Sequence, residues 1–139
     1  MRRRLLIAGS AALLVPTVAA ATPAQVAVLI RQLIGEAKLT EGKVKLDLPV
    51  MVENGNAIGM TVSVDAPPGA VHSLHVFAEG NPLPEVMHFM FGPRAGVPRV
   101  QTRMRLATSQ TVIAVAQMRD GTFWQDSMDL LVTLAACID

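Results

Sequence analysis

The chain has 139 residues, 51% hydrophobic and 17% charged, with 12 Lys+Arg against 11 Asp+Glu. That length suits one domain, and so even a charge balance leaves no basic footprint for nucleic acid. A single cysteine excludes an internal disulfide and points to an intermolecular bond or a reactive thiol.

Residues 1–21 read as a secretory signal. Arg2, Arg3 and Arg4 form a basic start, Leu5 to Val15 is apolar apart from Gly9 and Ser10, and Ala19-Ala20-Ala21 supplies small residues for cleavage. The apolar run is too short for a spanning helix. Arg2-Arg3 followed by Leu5-Leu6 also fits a twin-arginine export signal. The polar residue usual before the arginine pair is missing, which leaves the general secretion route open. Cleavage is expected after Ala20 or Ala21, and the expected compartment is the periplasm. Three of the 12 basic residues leave with the signal, so the mature chain carries 9 against 11 acidic ones.

Thr22 and Pro23 then provide a helix cap and a first-turn proline. Val26, Leu29, Ile30, Leu33 and Ile34 recur at helical spacing, and Gly35 ends the run. The spacing predicts one amphipathic helix over about Pro23 to Ile34, with its stripe packed on a core. Short runs with turn punctuation follow. Val44, Leu46 and Leu48 alternate with polar residues up to Pro49. Glu53-Asn54-Gly55-Asn56 reads as a turn in which Asn-Gly tolerates positive φ. Ile58 to Val64, Val71 to Ala78, Val86 to Phe91, Val100 to Leu106, Thr111 to Met118 and Phe123 to Leu134 read as strands. Pro67-Pro68-Gly69, Asn81-Pro82-Leu83-Pro84, Gly92-Pro93-Arg94-Ala95-Gly96 and Asp120-Gly121 separate them. The pattern predicts an all-β fold, an immunoglobulin-like antiparallel β-sandwich of about seven strands with one N-terminal helix. The domain is expected over residues 22–134, with residues 135–139 as a C-terminal arm.

The common catalytic constellations are missing: no phosphate loop, no Gly-x-Ser-x-Gly elbow and no Cys-x-x-Cys. Asp120, Asp126 and Asp129, near a turn and a strand edge, read as solvated charges. His72, His75 and His88 are the three histidines. His88 and Met90 share one strand face, with His75 and His72 on a nearby segment, and thioether plus imidazole suits Cu(I). Against copper, the chain has 8 methionines and only 4% aromatics, so methionine also serves as core filler. Copper binding therefore stands as an alternative, and no metal or cofactor is expected. Trp124, beside the Asp120-Gly121 turn, is placed at an end of the sandwich, with docking as a second reading.

The tail Ala135-Ala136-Cys137-Ile138-Asp139 is where the chemistry points. A thiol beyond the last strand suits a tether presented to other proteins. The thiolate is the reactive form. Asp139 and the terminal carboxylate disfavour it by like charge, so activation is expected from basic groups of a partner.

Several stretches together resemble the SoxY family of the bacterial Sox thiosulfate-oxidation system. They are Leu46-Asp47-Leu48-Pro49, Glu53-Asn54-Gly55-Asn56, Val62-Ser63-Val64-Asp65, Ala78-Glu79-Gly80-Asn81-Pro82-Leu83-Pro84-Glu85, Gly92-Pro93-Arg94-Ala95-Gly96 and Thr102-Arg103-Met104-Arg105-Leu106-Ala107. The resemblance runs from about Pro23 to Cys137. It implies an immunoglobulin-like sandwich paired with a second small sandwich subunit, SoxZ. It implies covalent attachment of substrate at Cys137, carried on the arm of Ala135, Ala136, Ile138 and Asp139. It further implies partners: a c-type cytochrome pair that joins thiosulfate to the thiol, a dimanganese hydrolase that releases sulfate, and a sulfane dehydrogenase. The carrier itself would catalyse nothing. The family arm is typically Gly-Gly-Cys-Gly-Gly. Here alanines precede the cysteine, and β-branched Ile138 follows it, giving a stiffer and wider arm. A pairing module that has lost the sulfur chemistry is therefore the other alternative.

Overall fold

The computed structural model describes residues 21–133. Helix α1 spans Pro23–Ile34. Nine strands follow among the described residues: β1 (Leu39–Glu41), β2 (Val44–Asp47), β3 (Met51–Val52), β4 (Ile58–Val64), β5 (Val71–Ala78), β6 (Glu85–Met90), β7 (Arg99–Met104), β8 (Gln110–Met118) and β9 (Phe123–Val132).

The helix begins and ends where its sequence says it should. Thr22 Oγ1 accepts from the Gln25 amide at 3.3 Å, and Gln25 Oε1 accepts from the Thr22 amide at 3.1 Å. Two orphan donors of the first turn are thus satisfied reciprocally. Gly35 closes the helix at φ 62°, its amide bonded to the Arg31 carbonyl.

Two sheets face each other. The larger runs β1-β9-β8-β5-β6, with β3 also on β9, and the smaller runs β2-β4-β7. Long pairings such as β8 with β9 and β4 with β7 are antiparallel. The short strands β1 and β3 add parallel pairings to β9, which the local pattern of the sequence did not announce.

β4 alternates buried and partly exposed residues, as a strand with one covered face must. β5 is different: seven of its eight residues are buried. Both of its faces are covered. Leu74, Val76 and Ala78 join the core between the sheets. On the other face Phe77 packs with Val26 and Ile30 of α1 and with Val115 and Phe123. The helical stripe is core packing, as expected. Burying Val26 and Ile30 contributes roughly 1.5–3 kcal/mol each.

The turns show two local mechanisms. At Asp120-Gly121 the glycine takes φ 88°, and the Asp120 carboxylate accepts from the Thr122 amide at 2.9 Å and hydroxyl at 2.6 Å. At Asn54-Gly55 the positive φ expected from the sequence does not occur. Asn54 Oδ1 instead accepts from the Asn56 amide at 3.0 Å, so the side chain makes the turn.

The three aspartates are more than solvated charges. Asp126 Oδ2 accepts from the Leu46 amide at 2.8 Å, joining β9 of one sheet to β2 of the other. Asp129 accepts from the Thr111 hydroxyl across β8 and β9. We expect Asp126→Ala to destabilise the fold by about 1.5–3 kcal/mol, read as a lower urea midpoint at unchanged slope. An unchanged midpoint would show that water replaces the carboxylate without loss.

The hydrogen bonds from Thr122 hold the Asp120 carboxyl below its ordinary value of 3.8. A folded-state value that is depressed stabilises above the unfolded value, and the gain fades as pH falls through the folded one. The melting difference between wild type and Asp120→Ala is therefore expected to shrink on acidification through that range. A constant difference would refute the charge-assisted turn.

Candidate functional site

Cys137 and its neighbours Ala135, Ala136, Ile138 and Asp139 lie outside the described residues, as does the signal segment over residues 1–20. The root of the arm is described, and it is firmly held. Leu131 donates its amide to the Val50 carbonyl at 2.9 Å, and Thr133 donates to the Val52 carbonyl at 2.9 Å. Between them the Val132 amide donates to Ser109 Oγ at 2.8 Å. β9 is thus anchored through Thr133 by residues from two other segments. Covalent geometry then limits the Cα of Cys137 to within about 14 Å of the Cα of Thr133.

Beside this root the surface is apolar. Met51 pairs directly with Leu131. Val50, Met51 and Leu131 are 64%, 65% and 56% exposed, so each of these apolar residues is more than half open to solvent beside this root.

A second cluster lies on β5 and β6, at the far edge of the larger sheet. His75 of β5 stands directly opposite His88 of β6, and their rings stack with centroids 4.2 Å apart. Glu85 Oε1 lies 3.2 Å from His75 Nδ1 and 3.9 Å from His88 Nδ1. On a regular strand Glu85 and His88, three residues apart, would point to opposite faces. The pairing register shifts between Val76 and Phe77, which oppose Met87 and Glu85. The extra residue, Val86, reverses the parity and brings Glu85 round to the histidines. Glu85 was not singled out from the sequence for that reason. His72 is not part of this trio, and Met90 is 66% exposed.

His75 is buried on the sheet face that also carries Phe77. Burial pushes its imidazole below the ordinary value, outweighing the hydrogen bond to Glu85 that acts in the other direction. Ser73 Oγ meets His75 Nε2 at 3.0 Å and donates to Gln117 Oε1 at 3.2 Å.

Trp124 is half-buried against the core. Its indole donates to Thr122 Oγ1 at 3.2 Å, and the Lys43 ammonium lies 4.9 Å above its ring centroid. These contacts place it in the sandwich packing, beside the turn.

An immunoglobulin-like sandwich with a single cysteine four residues beyond the anchored Thr133 is the class of protein these features define. The family model described as sulfur oxidation protein SoxY matches residues 30–137, and the chain belongs to the SoxY family. The match extends through Cys137. Among solved structures, the sulfur carrier protein SoxY from Chlorobium limicola f thiosulfatophilum superposes with a TM-score of 0.68 at 25% identity, covering 81% of this chain and 100% of that one. A superoxide reductase (neelaredoxin) from Ignicoccus hospitalis gives 0.56 at 19% identity, covering 81% and 94%. A putative superoxide reductase from Thermotoga maritima gives 0.58 at 19%, covering 69% and 93%. These last two share the fold alone. No curated protein matches the chain.

Proposed function

We propose that this protein is a periplasmic covalent carrier of sulfur intermediates in thiosulfate oxidation, with substrate held on Cys137. The observation that carries the reading is a family match that spans the sandwich and reaches the cysteine. In the first step the Cys137 thiol and thiosulfate form an S–S bond, releasing one proton and two electrons to a c-type cytochrome pair. In the second, water attacks the terminal sulfonate on a dimanganese hydrolase. Sulfate and a proton leave, and a persulfide stays on Cys137. A sulfane dehydrogenase then oxidises the remaining sulfane sulfur. The carrier supplies the thiol, and its partners supply the catalysis. A SoxZ-like small sandwich subunit completes the carrier as a heterodimer. The signal segment fits export of such a pair in the folded state, one signal serving both chains.

The arm sequence supports a second reading, a pairing module without sulfur chemistry. Intact mass spectrometry of the mature protein from cells oxidising thiosulfate, before and after reductant, separates the two. A reductant-labile adduct on Cys137 with the mass of thiosulfate or sulfane sulfur is expected. An unmodified thiol under those conditions would overturn the carrier reading in favour of the pairing module.

A further inference from the structure

The Ser73 hydroxyl has one proton and gives it to Gln117 Oε1. Its oxygen lies 3.0 Å from His75 Nε2 and can accept from that nitrogen. In the tautomer that carries its proton on Nε2, His75 gives that proton to Ser73 and turns the Nδ1 lone pair toward Glu85 Oε1, 3.2 Å away. In that tautomer the nitrogen and the carboxylate oxygen are two donors aimed at one point, where a metal cation can take the place of the proton they otherwise share. His88 Nδ1 faces the same carboxylate oxygen at 3.9 Å.

We propose that His75, Glu85 and His88 form a binding site for a divalent transition-metal cation of the Zn2+ class. Two imidazoles and a carboxylate are a ligand set that Zn2+ takes in three-ligand sites with an open fourth position. The three donor atoms lie within 4.8 Å of one another. A tetrahedral ion with bonds of ~2.0–2.1 Å needs its donors about 3.3–3.4 Å apart. The His75–Glu85 spacing is already close to that, and His88, on the solvent side, closes the remainder by a small side-chain rotation.

The surroundings fit a built site. A metal-binding histidine commonly donates its other N–H to a fixed acceptor, which sets the tautomer and the ring plane. Ser73, itself buried, provides that acceptor for His75 and is held in turn by Gln117. The β6 bulge supplies Glu85. With a carboxylate as third ligand, the set suits a divalent ion better than the soft Cu(I) weighed as an alternative for His88 and Met90. The open position faces solvent at the sheet edge, available to water or to a donor from a bound protein.

The test uses the full mature chain carrying Cys137→Ser, so that no thiol binds the metal. Zn2+ is titrated by calorimetry, and melting is followed with and without the ion. Saturable binding of one equivalent and a raised melting temperature are expected. Glu85→Gln and His88→Ala, both at exposed positions, are expected to abolish both effects without lowering the metal-free melting temperature appreciably. Ser73→Ala is expected to weaken binding by about 10–100-fold. Absence of saturable binding would overturn the proposal and leave Nδ1 as a proton donor to Glu85. Binding that survives in both ligand variants would overturn it equally, since the ion would then sit elsewhere.

Discussion

Cys137→Ser is expected to abolish thiosulfate-dependent respiration while leaving the fold and its pairing untouched. Serine has nearly the shape of cysteine, but its oxygen forms neither the thiosulfonate conjugate nor the persulfide. The step lost is the covalent one, so the expected effect is complete loss rather than a reduced rate. Cys137 lies four residues beyond Thr133, past the last anchored amide leading out of β9. The variant should therefore melt within ~0.5 kcal/mol of wild type and bind the proposed SoxZ-like subunit to the same extent as wild type. Oxygen uptake with thiosulfate in cells carrying only the variant is the measurement. Undiminished uptake would end the carrier reading.

Asn81→Ala is expected to be the most damaging change to the sandwich outside its apolar core. Asn81 is buried in the β5–β6 connection. Its amide nitrogen donates to the Arg105 carbonyl at 2.9 Å, and its side-chain oxygen accepts from the Ala107 amide and from Gln110 Nε2, each at 2.9 Å. Its backbone carbonyl accepts from the Ala21 amide at 2.9 Å. One side chain thus ties the β5–β6 connection to the β7–β8 connection. Alanine would strand the part-buried Ala107 N–H and Arg105 C=O, costing about 1–3 kcal/mol for each group left unpaired. We expect about 3 kcal/mol in total, checked as a reduced urea midpoint with the slope unchanged. A loss under ~0.5 kcal/mol would mean that water fills the gap. Neighbouring Gly80 explains the tightness of this corner. A Cβ there would lie 3.0 Å from Thr108 Cγ2 and 3.1 Å from Gln110 Cβ.

These residues also show what was legible in the sequence. The helix was, because Thr22, Pro23 and Gly35 act within one turn of it. β4, β5 and β8 were, because their apolar residues and flanking turns are local signals. β1 and β3 were not: with three and two residues they exist through pairing with β9, some 80 residues away. The helix-covered face of β5 was hidden too, since a strand buried on both sides loses its alternation. The histidine cluster was half visible. His75 and His88 were read as neighbours, but Glu85 joins them through a bulge that periodicity hides. Likewise Asp126 read as a surface charge, because its partner Leu46 is 80 positions distant. Cys137 was legible through its chemistry and its place in the chain, with no contribution from packing.

The anchoring of β9 has a mechanical consequence. A pull applied at Thr133 along the axis of β9 is carried by the whole strand. β9 holds eight residue pairs with β8 on one side and parallel pairs with β1 and β3 on the other. Its ladder hydrogen bonds lie across the strand, so a tug on the arm loads them together, in shear, instead of peeling them one at a time. A load in that direction meets the whole β9 ladder at once, so the described sandwich resists unravelling from that end.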